Sequence, residues 1–460
     1  MVTDLASDVP QAHASRSPWL ILAIASLAVF VVSLDGTVLF VAFPAIRKTY
    51  ERVSPEALSW ILNVYTIGYG ALLVPAGRLA DRYGRRFFFL TGAGTFTVAS
   101  ALCGAATTVG SLILARAAQS IGAALLMPAS LALVLEAFPS KGRGPAIGIW
   151  GATGALAAAI GPALGSAVIQ YANWRWVFFL NLPVGLLAIA AGVRRLSESR
   201  AREKGALPDL LGAAILMAAF GLLAYAIVGA RQYPSAAPAG ALLLASFVWR
   251  SLRHPVPALD LRLFRLRSFA VANVMTVVFG VAFTAMFFGN VLFLTERWHR
   301  SIFEAGLWMS PGPLAVMPVA VLAGRYTDRI GYRPIFIAGG LLYSAGAAYL
   351  LHTVDKAASF ALWLPGAIVM GVAIGMILPS LSGASTRELD SATLGVGSAV
   401  HQAMRQFGSV LGVAVVVLIL GAVTEAGPFR ARLRLDAGRW SIHGPGRRRL
   451  PRAPPDCGRA

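Results

Sequence analysis

The sequence predicts an all-α membrane protein. Two similar six-helix halves are expected, with two helices inserted between them and the last helix of the second half missing. Three observations predict this. Of 460 residues, 57% are apolar and only 13% are charged, against about 25% charged in soluble domains. Continuous apolar stretches recur along the chain, each near the ~20 residues a helix needs to cross hydrocarbon. A charged ten-residue string appears twice, 247 residues apart.

Thirteen stretches qualify, near 18–43, 57–77, 87–106, 110–138, 144–170, 175–193, 209–230, 236–251, 268–295, 304–323, 334–352, 359–384 and 394–423. The eighth is the shortest. They are continuous rather than alternating, which excludes a β-barrel. The first follows Arg16, lacks a small-residue cleavage site and contains Asp35, so it reads as a retained helix. An inside N-terminus places 21 Lys/Arg on the inner side and 8 on the outer. The inner excess predicts a cytoplasmic N-terminus in a multi-pass bacterial cell (inner) membrane protein.

Thirteen spans then leave residues 428–460 outside, although this segment is rich in Arg, Pro and Gly. The expectation is a frameshift or truncation that replaced a fourteenth helix. An intact reading frame at the locus, with no apolar segment encoded downstream in another frame, would refute it.

GRLADRYGRR at 77–86 returns as GRYTDRIGYR at 324–333. Gly77, Arg78, Asp81, Arg82, Gly84 and Arg86 match Gly324, Arg325, Asp328, Arg329, Gly331 and Arg333. The first copy follows span 2 and the second follows span 10. The chain therefore divides into an N-terminal segment (1–17), a first half (18–193), two inserted helices with linkers (194–267), a second half (268–427) and a basic tail (428–460). Parallel six-helix repeats suit a transporter that rocks around a midplane site.

The repeated string resembles the signature loop of the major facilitator superfamily. LDGTVLFVAFP (34–44), RAAQSIGAA (116–124), AAAIGPALGS (157–166), WRWVFFLNLPVG (174–185) and SAVHQAMRQFGSVLG (398–412) resemble its 14-helix drug:proton antiporters. That resemblance implies a major facilitator fold and proton-coupled export of hydrophobic or cationic drugs, the alternatives being a dedicated metabolite or amino-acid exporter of the same fold or an inactive truncated remnant. It ties Asp35 and Arg116 to proton coupling. It also associates Gly161, Pro162 and Gly165 with exporters.

The residues themselves support such chemistry. Asp35 is the only carboxylate deep within a span. Charge is costly there, so such an acid faces the protein interior, exchanges protons and offers a counter-ion to a cationic cargo; the bland alternative is a hydrogen-bonded structural acid. Arg116 stays charged at any working pH and can hold a nearby carboxylate until protonation frees it. Gln119 lies three residues on, on the same helix face. Asp81 with Arg78, Arg82, Arg85 and Arg86, between Gly77 and Gly84, forms a loop of alternating sign suited to a gating latch. Asp328 is its counterpart. Small residues on span 5 allow close helix approach, and Pro162 can kink it. Trp60, Tyr65, His401 and Arg405 complete a candidate substrate cavity with Gln119. His401 has the titration range of a switch, although a packed histidine is the commoner case.

Other classes are excluded. The net charge of +20 lies mainly between apolar runs, as in membrane proteins, so no nucleic-acid partner is expected. Cys103 and Cys457 make no disulfide framework. No metal-binding, nucleophile-elbow or ATP-binding motif is present, so no enzyme activity, metal or cofactor is expected. The expected partners are the lipid bilayer, protons and a small hydrophobic or cationic substrate, with the chain acting as a monomer.

Overall fold

The computed structural model describes residues 17–200, 207–228, 235–353, 359–390 and 393–442, with Ser140, Lys141, Gly144, Asp328 and 420–442 as backbone alone. Five helices open the chain: α1 (Pro18–Thr49), α2 (Pro55–Tyr83), α3 (Arg85–Ala105), α4 (Val109–Ala137) and α5 (Ser140–Tyr171). The short α6 (Trp176–Phe179) and α7 (Asn181–Arg195) make one crossing. Then come α8 (Leu210–Val228) and α9 (Ala236–Arg253). The second half holds α10 (Arg267–Leu292), α11 (Ile302–Met309), α12 (Pro311–Ile330), α13 (Tyr332–Thr353), α14 (Phe360–Thr386) and α15 (Leu394–Ile442).

Among the described residues, twelve helical segments are long and apolar enough to cross a membrane. The expected eighth span forms α9 but is not one of the twelve. Its last turn carries Arg250 and Arg253, and Arg250 is pinned to Asp209 at 2.8 Å. Asp209 also accepts from Gly212 N at 2.8 Å, closing the first turn of α8. Burial pushes the Asp209 carboxyl up, but the hydrogen bonds from Arg250 and Gly212 outweigh it and hold it below the usual carboxylate range. The last span also differs from expectation, because α15 continues to Ile442. Residues 443–460, the end of the expected tail, lie outside the described residues, as does most of the 1–17 segment.

Local signals fix the helix ends. Thr108 with Ser111, and Ser301 with Glu304, form reciprocal capping boxes. Gly84 and Gly331, the matched glycines of the repeat, have φ of 135° and 82°. Both break the chain between consecutive helices, a conformation that disfavours any Cβ. A methyl at Gly84 would also sit 2.6 Å from the Glu198 carboxylate.

The duplication seen in the sequence extends to packing. The first helix of each half lies on the fifth (α1 on α5, α10 on α15), and the fourth packs on the second and third. Between halves the second helix meets the fifth: α2 on α15, and α11–α12 on α5. One relation has no counterpart among the described residues. In the first half, α7 packs on α1 and α3, within a cluster that buries Ile24 and Val31. Val271 and Val278, at the same repeat offset, are 53% and 58% exposed. Large apolar side chains such as Val98, Leu114 and Leu242 face outward, as a lipid environment requires.

Candidate functional site

Asp35 and Arg116 meet in the core of the first half. Arg116 Nη1 donates to Asp35 Oδ2 at 2.6 Å, and the two residues are 4% and 2% exposed. The other carboxylate oxygen accepts from Gln119 Nε2 and from Asn181 Nδ2, both at 2.9 Å. Gln119 Nε2 also donates to Ser100 Oγ at 2.8 Å. Arg116 is held further by the Ile61 carbonyl at 3.2 Å, by Gln119 Oε1 at 2.6 Å and by the Tyr65 ring, 4.1 Å from its guanidinium. A buried charge is tolerable only when paired and hydrogen-bonded. Four separate helices supply that pairing here.

The halves are closed at one end. Arg47 reaches Glu296 at 2.8 Å, and the Tyr171 and Phe303 rings lie 6.3 Å apart. Phe43 stacks edge-on against Phe288 at 4.9 Å. On α5, Gly161 and Gly165 abut Thr37 and Val38 of α1, while Pro162 and Ser166 abut Gly306 of α11. The small-residue face thus serves two close approaches, one within its half and one across to the other. Towards the end that carries the two repeated loops, Gly148 and Gly151 of α5 and Gly324 of α12 face open space. At these positions α5 and α12 are uncovered.

Arg85 and Arg86 of the first repeated loop bind within their own half. Arg85 binds Asp81 at 2.9 Å and Glu136 of α4 at 3.1 Å. Glu198 accepts from the backbone N–H groups of Arg86 and Phe87, both at 3.1 Å, and so caps the start of α3. Arg86 donates to the Val193 carbonyl at 2.9 Å. Arg82 lies over Tyr83, and Arg78 Nε is buried without a hydrogen-bond partner. The Asp328 side chain lies outside the described residues.

The remaining candidates separate. Trp60 packs against Tyr225 of α8, at 6.4 Å between rings, rather than in a cavity. Tyr65 and Gln119 belong to the Asp35 cluster. His401 and Arg405 line a cavity of about 230 Å³ in the second half, with Thr276, Leu378, Pro379 and Gln402. His401 Nδ1 lies 3.3 Å from Asn273 Oδ1 and 3.4 Å from Thr276 Oγ1. Tyr69 of α2 lies beside Gln402 of α15, across the halves.

The sequence profile described as Major Facilitator Superfamily matches residues 25–413. The chain belongs to this superfamily. It is 32% identical to the multidrug resistance protein Stp of Mycobacterium tuberculosis (strain ATCC 25618 / H37Rv), over 90% of this chain and 78% of that one. It is 30% identical to the methylenomycin A resistance protein of Bacillus subtilis (strain 168), over 91% of each. The probable actinorhodin transporter of Streptomyces coelicolor is 31% identical, over 93% of this chain and 78% of that one. Among solved structures, a D-xylose-proton symporter aligns with a TM-score of 0.59 at 17% identity, covering 87% of this chain and 90% of the other. A bacterial homolog of the human lysosomal transporter Spinster, inward-facing and unoccupied, gives 0.61 at 16%, covering 92% and 86%. These two show the fold alone.

The chain is therefore a multi-pass transporter of the major facilitator superfamily. Two polar partners of its Asp35 cluster escaped sequence reasoning. Asn181 sits inside the WRWVFFLNLPVG string, and Ser100 lies in an apolar run. Asn181 carries the stronger signal, being an amide at the centre of an otherwise apolar crossing. Such a group is costly unless it has a partner.

Proposed function

We propose that this facilitator exports small hydrophobic drugs from the bacterial cytoplasm by alternating access, in exchange for inward protons. The observation that carries this reading is the sealed Asp35–Arg116 pair, with Gln119 and Asn181 on the second carboxylate oxygen. Arg116 cannot deprotonate, so Asp35 is the member that takes the proton. Once neutral, Asp35 no longer holds the guanidinium, and the α1–α4 contact loosens. The halves can then rock about the α2–α15 and α5–α11 contacts. The drug-resistance relatives support the cargo class. The Arg47–Glu296 contact that closes one end, and the uncovered positions of α5 and α12 towards the end rich in loop arginines, support a cytoplasm-facing state. One proton moving through ~100 mV supplies about 2.3 kcal/mol, and a pH gradient adds to this.

The test is efflux of the neutral dye Nile red from cells expressing the chain. Export that stops when an uncoupler collapses the proton gradient agrees with the reading. Export that continues unchanged contradicts it.

A further inference from the structure

Arg405 differs from Arg116 in one respect: no counter-ion meets it. It sits within the last crossing, lines the second-half cavity and is accessible there. Among the described residues, no carboxylate lies within ion-pair distance of it. The neighbouring side chains Thr276, His401, Gln402 and Tyr69 are uncharged or weakly basic hydrogen-bonding groups. Leu378 and Pro379 add an apolar wall. Asp35, the acid expected to balance a cationic cargo, has both oxygens engaged and is shut in the other half. The cavity thus offers a fixed, unneutralised cation and no free anion. An unpaired charge at membrane depth is expensive, and a ligand of opposite sign removes that cost.

We propose that this cavity binds amphipathic organic anions, with Arg405 holding a carboxylate or phenolate and Leu378 and Pro379 receiving the apolar body. A planar guanidinium meets the two oxygens of a carboxylate in a two-point fashion that an ammonium cannot reproduce, and meets a phenolate through one oxygen. The proposal rests on the export reading only in taking this cavity as a cargo site, and it adds acids with an apolar frame to the hydrophobic cargo.

The experiment measures equilibrium binding to the purified full chain in detergent by fluorescence anisotropy. Fluorescein and rhodamine 123 share a tricyclic frame and carry opposite charge. Wild type should bind fluorescein at least about tenfold more tightly than rhodamine 123. Arg405→Gln should weaken fluorescein binding at least about tenfold without weakening rhodamine 123, and Arg405→Lys should restore part of the loss. An arm that needs no variant uses competitors on the unaltered chain: 2-naphthoate should displace bound fluorescein, and 2-naphthylmethylamine should not. A wild-type preference for rhodamine 123, equal loss of both dyes in Arg405→Gln, failure to bind fluorescein, or displacement by the amine alone would overturn the proposal. Binding requires no transport. A chain that binds fluorescein through Arg405 yet moves nothing in liposomes refutes the export reading and leaves the anion site standing.

Discussion

Asp35 and Arg116, 81 positions apart in the chain, form a 2.6 Å ion pair that joins α1 to α4 in the core of the first half. Asn181 reaches the same carboxylate from α7.

Asn181 donates to Asp35 Oδ1 at 2.9 Å and to Ser100 Oγ at 3.3 Å. Asn181→Ala removes one of three donors, and a hydrogen bond to a charged group is worth about 1.5–3 kcal/mol. The carboxylate is then less firmly held, and proton-coupled dye export in vesicles should fall by about tenfold. Unchanged export would show that Asn181 does not act on the proton step.

Gly306 permits the α5–α11 approach that closes one end of the molecule. A Cβ there would lie 2.5 Å from the Pro162 carbonyl oxygen. Gly306→Val should hold that end open. In a chain bearing Arg47→Cys and Glu296→Cys, oxidative cross-linking should fall by about tenfold when the valine is added, since the cysteines must approach within ~7 Å. Undiminished cross-linking would place the closure elsewhere.

The Arg47–Glu296 pair has side chains 37% and 36% exposed. Pairs of this kind contribute about 0–1 kcal/mol. Glu296→Gln should therefore change export by less than about fivefold. A complete loss would mean that this pair, rather than the packed glycine and aromatic contacts, holds the end shut.

Asp209 has a depressed carboxyl in the folded chain. Its stabilising effect is complete above the unfolded carboxylate range near ~3.9 and is lost as pH falls through the folded value. The melting temperature should drop on acidification below about pH 4. Asp209→Asn, at a cost of about 1–3 kcal/mol at neutral pH, should flatten part of that fall. An acid transition identical in the variant would remove Asp209 from the account.

The crossings were legible because hydrocarbon thickness imposes their length, and the repeat was legible because its charges stand out in an apolar chain. Asp35 and Arg116 were legible for the same reason: ionisable groups at that depth are few. Side-chain direction was not. Helical spacing placed Trp60 near Tyr65, but the inserted α8 claims the Trp60 face. Glu198 caps α3 from 112 residues away, which no local pattern announces. The lone state of Arg405 emerges only when the structure shows which acids lie out of reach. The Arg250–Asp209 pair, which ties the end of α9 to the start of α8, likewise depends on a fold-level contact.

The most direct test uses proteoliposomes holding the full chain, a trapped pH indicator and an imposed cargo gradient. Cargo leaving by exchange should drive proton uptake in wild type. Asp35→Asn should insert and bind cargo yet show no cargo-driven proton movement. Proton flux that survives in Asp35→Asn at the wild-type rate would contradict the assignment of Asp35 as the proton carrier.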